Sequence, residues 1–186
     1  MSESSETKRK MLSIEQIDRG IEEVGMLAQQ HGVTVLLIGG VAMQHYGSDR
    51  FTADLDFAAS GVLPGLVPEH PLVFGGYQSH TPGGIPVDWI LRSDDYAAVF
   101  TEALEHPQWV PGLAVPLVRP EYLVVMKMVA RRRKDELDLE TLLELGVVDT
   151  GKALEVTKRL LGAYAADDLR RHIELAEWNR DREGKR

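Results

Sequence analysis

The chain has 186 residues, 44% of them hydrophobic, enough for one ordinary core with a helical annex and too little for two large independent domains. It contains no cysteine, which excludes a disulfide framework, a thiolate metal site and a cysteine nucleophile and makes a reducing compartment the natural expectation. A net charge of -8 argues against a broad electrostatic footprint on nucleic acid, and the apolar runs are too short for a secretory signal or a bilayer span, so a cytoplasmic protein with no membrane partner is expected.

Residues 1–12 read as a disordered tail. Ser13 with Gln16 three positions on forms a capping box ahead of Ile14, Ile17, Ile21, Val24 and Leu27, the spacing of an amphipathic helix, and Gly32 follows as its cap. Residues 33–38 are a β-branched and apolar strand run ended by Gly39-Gly40, and 41–46 have room for a short helix. Residues 53–58 alternate, with Ala53, Leu55 and Phe57 on one side and Asp54 and Asp56 on the other. A Gly- and Pro-rich loop at 60–70 precedes two further strand candidates, 72–74 and 85–91, with a turn at 81–84 between them. Pro86 is compatible with the second only at a strand start or on an edge.

Ser93 reads as the cap of a helix with Asp94 and Asp95 in its first turn, and 114–118 as a last strand. From Pro120 one long helix is expected through Lys127 and Lys134 towards Leu145, followed by helices at 151–162 and 166–179. The organisation expected is an α/β core over 13–119 and a helical part over 120–180 packed on the same unit.

Three acidic residues carry the chemistry. Side chains two apart on a strand lie roughly 6.6 Å from one another, so Asp54 and Asp56 project together while Leu55 anchors in the core. If the strand holding Asp88 pairs with 53–58, all three carboxylates line one sheet face. Close carboxylates repel, and a hard divalent cation, Mg2+ or Mn2+, compensates them with oxygen ligands alone. Two such ions roughly 3.5–4 Å apart can clamp an in-line phosphoryl displacement. Taken alone, the short and common Asp-Leu-Asp tripeptide reads as a solvated strand face. The segment in front of it changes the balance: a buried strand ending in Gly39-Gly40 offers backbone N–H groups to a phosphate with no Cβ in the way.

The stretch from Gly39-Gly40 through Arg50 and Thr52 to Asp54-Leu55-Asp56 resembles the polymerase-β-type nucleotidyltransferase superfamily, most closely its minimal branch with the AbiEii-type abortive-infection toxins. The resemblance covers roughly residues 33–140. It implies a small mixed sheet flanked by helices, with Gly39 and Gly40 holding the triphosphate of a nucleoside triphosphate such as ATP. Asp54 and Asp56 would then hold the metals, and Asp88 the remaining metal or base position. Arg50 and Thr52 match the run-in to the acids. Where the wider superfamily carries a Gly-Ser turn, this chain has Gly40, as the toxin-like branch does. The same resemblance implies a toxin of a toxin–antitoxin or phage-defence system, a transfer RNA or protein acceptor, and an antitoxin-like partner protein.

On the expected helix from Pro120, Lys127, Arg131, Lys134 and Asp138 form one polar stripe. Lys127, set among Val124, Val125, Met126, Met128 and Val129, is read as a phosphate-neutralising group, and Lys134 as either a second one or an i,i+4 partner of Asp138. The function expected is transfer of a nucleoside monophosphate to an acceptor hydroxyl on RNA, protein or a small molecule. A metal-dependent phosphohydrolase, which needs a similar acidic cluster, and a non-catalytic nucleotide- or partner-binding module are the alternatives.

Overall fold

Helix α1 (Ile14–His31) starts at the capping box: the Ser13 hydroxyl accepts from the Gln16 backbone N–H, and the Gln16 side chain accepts from that of Ser13. Gly32, in the left-handed conformation, closes the other end. Its buried stripe of Ile17, Ile21, Val24 and Ala28 faces the sheet. The approach is close at Gly20, where a Cβ would stand 2.5 Å from Leu55 Cδ1. The computed structural model describes residues 10–183, and in them five strands and seven helices.

The strands are β1 (Val35–Ile38), β2 (Leu55–Ala59), β3 (His70–Pro71), β4 (Gly76–His80) and β5 (Pro86–Ile90), in the spatial order β1-β2-β5-β4-β3. β2 and β5 run parallel and the other neighbours antiparallel, a mixed sheet. The remaining helices are α2 (Gly39–His45), α3 (Ala97–Glu105), α4 (Pro120–Ala130), α5 (Arg133–Glu144), α6 (Thr150–Leu161) and α7 (Ala163–Glu183). The fold is thus α/β, a small mixed sheet flanked by helices with a helical C-terminal part. Among the described residues no helix is long and apolar enough to cross a membrane.

The register sorts the sheet into cross-strand rows. Leu37, Phe57, Trp89 and Tyr77 are successive partners from β1 to β4 and point to one face. The next row, Ile38, Asp56, Asp88 and Gln78, points to the other. On the apolar row the Phe57 and Trp89 ring centroids lie 6.0 Å apart, and the fully buried indole Nε1–H donates to the Gly61 carbonyl at 3.0 Å.

Several expected elements are corrected. Residues 72–74 form a turn, with Val73 fully exposed, and the strand pairing with β5 is instead Gly76–His80. Gly76 is required there, since a Cβ would meet the Trp89 carbonyl oxygen at 2.0 Å. The helix expected from Ser93 begins only at Ala97, because Asp94 is occupied in accepting from the Tyr96 N–H and pairing with Arg92. Residues 114–118 contribute isolated bridges, Leu37 with Leu117 and Gln108 with Leu117, in a segment that Pro116 deprives of a donor. Helix α2 already begins at Gly39. Pro86 opens β5, as a strand proline requires.

The long helix from Pro120 is two helices. α4 ends at Ala130, Arg131 adopts the left-handed conformation with φ 49°, and α5 starts at Arg133. The polar stripe from Lys127 to Asp138 along one helix therefore does not form. Of the tail at 1–12, residues 1–9 lie outside the described residues, while the Leu12 N–H donates to the Thr52 carbonyl at 2.9 Å.

Truncating Trp89 to alanine removes the largest fully buried side chain and leaves the Gly61 carbonyl without its partner. The expected loss is about 3–5 kcal/mol of unfolding free energy, read by urea denaturation; a loss under about 1 kcal/mol would mean that the row is not a packed core.

Candidate functional site

Asp56 is placed by two constraints. Its strand position sets it beside Asp88, its register partner across the parallel β2–β5 pair. Its Oδ2 accepts from the Gly40 backbone N–H at 3.3 Å, which ties it to the bend at the end of β1. That bend exists only because two residues lack side chains. Gly39 has φ 63°, and a Cβ on it would stand 1.9 Å from Asp56 Oδ2. A Cβ on Gly40 would stand 2.7 Å from Thr52 Oγ1.

Behind the bend Thr52 is buried, and its hydroxyl donates to the Asp54 carbonyl at 2.9 Å, setting the turn that delivers Asp54 just before β2. On the far side, Gln78 of β4 donates from Nε2 to Asp88 Oδ1 at 3.0 Å. Gln78 was not anticipated from the sequence, because Gly76-Tyr77-Gln78-Ser79-His80 lacks the apolar pattern of a strand.

Burial, together with the charges of Asp54 and Asp88, raises the Asp56 carboxyl to about 6, against the opposing pull of the Gly40 N–H and of Lys127. Asp88 is the register partner of Asp56, and Asp54 precedes Asp56 by two residues on the same segment. Among the described residues, however, no group of three or more His, Asp or Glu side chains forms a ready-made metal cage.

A cleft of about 210 Å3 opens over Asp56 and the Gly39-Gly40 bend. Arg50, Lys127 and Lys134, all singled out from the sequence, also line it, together with Arg92, Arg132 and Asp135. Asp88 lines the adjoining hollow with Ala53 and Gln78, so the Asp56–Asp88 pair stands where the two depressions meet. Thr52 is not on the cleft wall; it supports the bend from behind.

The cationic wall is organised by the break between α4 and α5. Lys127 Nζ donates to Asp135 Oδ1 at 3.1 Å and also to Asp138, although all three are buried. Arg132 reaches Asp135 Oδ2 at 2.6 Å, and Arg50 pairs with Asp138. Three cations thus share two carboxylates, leaving a net positive wall. The neighbouring positive charges outweigh burial and hold the Asp135 carboxyl below the usual range. Lys134 faces the cleft without a salt bridge to Asp138, which Lys127 and Arg50 already hold.

No family model matches the chain, and no curated protein matches it. Among solved structures it is similar to an antigenic nucleotidyltransferase-like protein from Paracoccidioides brasiliensis, at 17% sequence identity and a TM-score of 0.47. The match covers 85% of this chain and 95% of that one.

Two outcomes follow for this site. Gly39→Ala forces both a left-handed alanine and a displaced Asp56 carboxylate, so a loss of about 1–3 kcal/mol in stability is expected, with Gly→Ala at the unconstrained Gly61 as the harmless control. Asp56→Asn removes a repelled charge. A carboxyl whose folded value is about 6, above its unfolded value near 3.8, destabilises the fold at pH 7, and this penalty fades as pH falls through 6 towards 4. The asparagine variant should therefore be more stable than the parent by on the order of 1–3 kcal/mol at pH 7, with the gap closing by pH 4; equal melting temperatures across that range would contradict the cost of burying this charge beside two others.

Proposed function

We propose that this chain is a divalent-metal-dependent nucleotidyltransferase, which moves a nucleoside monophosphate from a nucleoside triphosphate to an acceptor hydroxyl. The observation that supports it most is the side-chain-free bend Gly39-Gly40 in hydrogen-bond contact with Asp56, itself abreast of Asp88, under a net cationic wall. The missing Cβ atoms let Asp56 and Thr52 close against the bend, and Gly39 and Gly40 line the cleft in which a polyphosphate would lie beside the acids. The Lys127, Arg132 and Arg50 network with Lys134 supplies positive charge to that polyphosphate on the opposite side.

The donors fit Mg2+ or Mn2+: they are hard carboxylate oxygens, and burial first, with the charges of Asp54 and Asp88 after it, makes the ionised Asp56 costly in a way that a bound cation offsets. Asp54, Asp56 and Asp88 would hold it, and bound there it would neutralise the triphosphate. Among the described residues these carboxylates do not close a cage, so water and substrate oxygens would complete the ion's shell.

In the transfer, the acceptor oxygen attacks the α-phosphorus, the bond to the β-bridging oxygen breaks, and pyrophosphate leaves. Asp88, oriented by Gln78, takes the acceptor proton from the side of the adjoining hollow. Lys127 is held in place by Asp135 and Asp138, so its ammonium is pre-positioned and costs little to order. The resemblance to the abortive-infection branch extends the proposal to a toxin acting on transfer RNA or protein, with an antitoxin-like partner.

The test is incubation with Mg2+ and each labelled triphosphate in the presence of cellular RNA or lysate. Pyrophosphate release with label transfer is expected, and a fall of at least about 100-fold in the Asp54→Ala/Asp56→Ala variant. Transfer retained by that variant rejects the site, and release of orthophosphate without label transfer assigns a phosphohydrolase instead.

A further inference from the structure

Arg92 lines the cleft just after β5 and stands outside the ion-pair network of Lys127, Arg132 and Arg50 with Asp135 and Asp138. Its side chain is only 9% exposed. Its guanidinium carbon lies 5.1 Å from the Phe74 ring centroid, 5.1 Å from Phe100 and 5.5 Å from Tyr96. Its Nε and one Nη2 N–H are committed to Asp94, at 2.9 and 2.6 Å. The pairing satisfies most of its charge, and the rings and the fork leave it little freedom to turn. It makes no further hydrogen bond among the described residues, so three of its five N–H groups keep their donor capacity.

The cleft around it is apolar, with Phe74, Ile90, Phe100, Leu123 and Met126 on the walls, while the cations Lys127, Arg132 and Lys134 and the glycine bend supply its polar lining. A flat heteroaromatic ring suits the first environment and a polyphosphate the second. Resting on the nucleotidyltransferase reading, we infer that Arg92 reads the base of the bound nucleotide and favours bases that present a carbonyl acceptor edge (guanine, uracil or cytosine) over adenine.

A fixed guanidinium offers only donors. Guanine presents O6 and N7 side by side, and each pyrimidine presents at least one ring carbonyl. Adenine pairs an acceptor with the N6 amino donor on its N7 edge, so an immobile donor fork there meets another donor. Asp94, held by Arg92 and the Tyr96 N–H, is not on the cleft wall, so the guanidinium and not the carboxylate faces the base.

Equilibrium binding of GTP, UTP, CTP, ATP and inorganic tripolyphosphate to the full chain, measured by calorimetry in Mg2+, tests this. At least one carbonyl-bearing triphosphate should bind about tenfold or more tighter than ATP. Arg92→Met should bring the ratio to within about twofold while leaving tripolyphosphate affinity unchanged; Arg92→Lys, which keeps the charge and loses the fork, should also lose most of the preference. Equal affinity for all four nucleotides in the parent chain, or a preference for ATP, overturns the assignment, as does a ratio that survives Arg92→Met. If tripolyphosphate also fails to bind, the phosphate end of the cleft is misread and the proposed function falls with it.

Discussion

The contact between the Asp56 carboxylate and the left-handed bend at Gly39-Gly40 is what the site depends on. It joins the end of β1 to the middle of the sheet with no side chain between them, and the 1.9 Å that a Cβ on Gly39 would leave to Asp56 Oδ2 shows how little room there is. The contact also explains why an unfavourable charge arrangement persists. A half-buried carboxylate beside two others gains one backbone N–H and the distant pull of Lys127, which is less than it loses. Such a balance costs stability, and a fold keeps it where the charge is used on a ligand.

The second organising element is the interruption between α4 and α5. A left-handed arginine costs about 1–2 kcal/mol relative to a helical one, and no glycine or proline calls for a break there. What the break allows is visible in the ion pairs: Lys127 on α4 meets Asp135 and Asp138 on α5, and Arg132 and Arg50 close the network. On one continuous helix Lys127 and Asp135 would stand eight residues apart along the axis, out of reach. Five charged groups on three segments are thereby held at one wall of the cleft, so the wall is rigid and positive at once.

Much of this was legible in the sequence, for identifiable reasons. The capping box, the apolar run at β1, the glycine pair and the alternation around Asp54 and Asp56 are local signals, and local signals set local structure. That Asp88 shares a face with Asp56 followed from strand periodicity on the condition that the two strands pair, and they do, in parallel register. What escaped is non-local. β4 is a polar and glycine-containing segment that becomes a strand only by pairing with β5, so Gln78 and its bond to Asp88 could not be read. The break at Arg131 is set by ion pairing between segments, and Arg92 carried no sequence signal, because only the fold brings Phe74 against it beside Tyr96 and Phe100 of the following segment. The acids and glycines are thus visible in the sequence, whereas the apolar and cationic walls of the cleft are assembled only in three dimensions.

The central claim is that the acids and the glycine bend face one bound polyphosphate. Crystals grown with Mn2+ and a non-hydrolysable nucleoside triphosphate analogue test it most directly, through the anomalous signal of the metal. The account predicts a metal peak in contact with the Asp56 and Asp88 carboxylates and triphosphate density against the Gly39 and Gly40 backbone. A metal peak away from both carboxylates, or a triphosphate bound away from that bend, would contradict it.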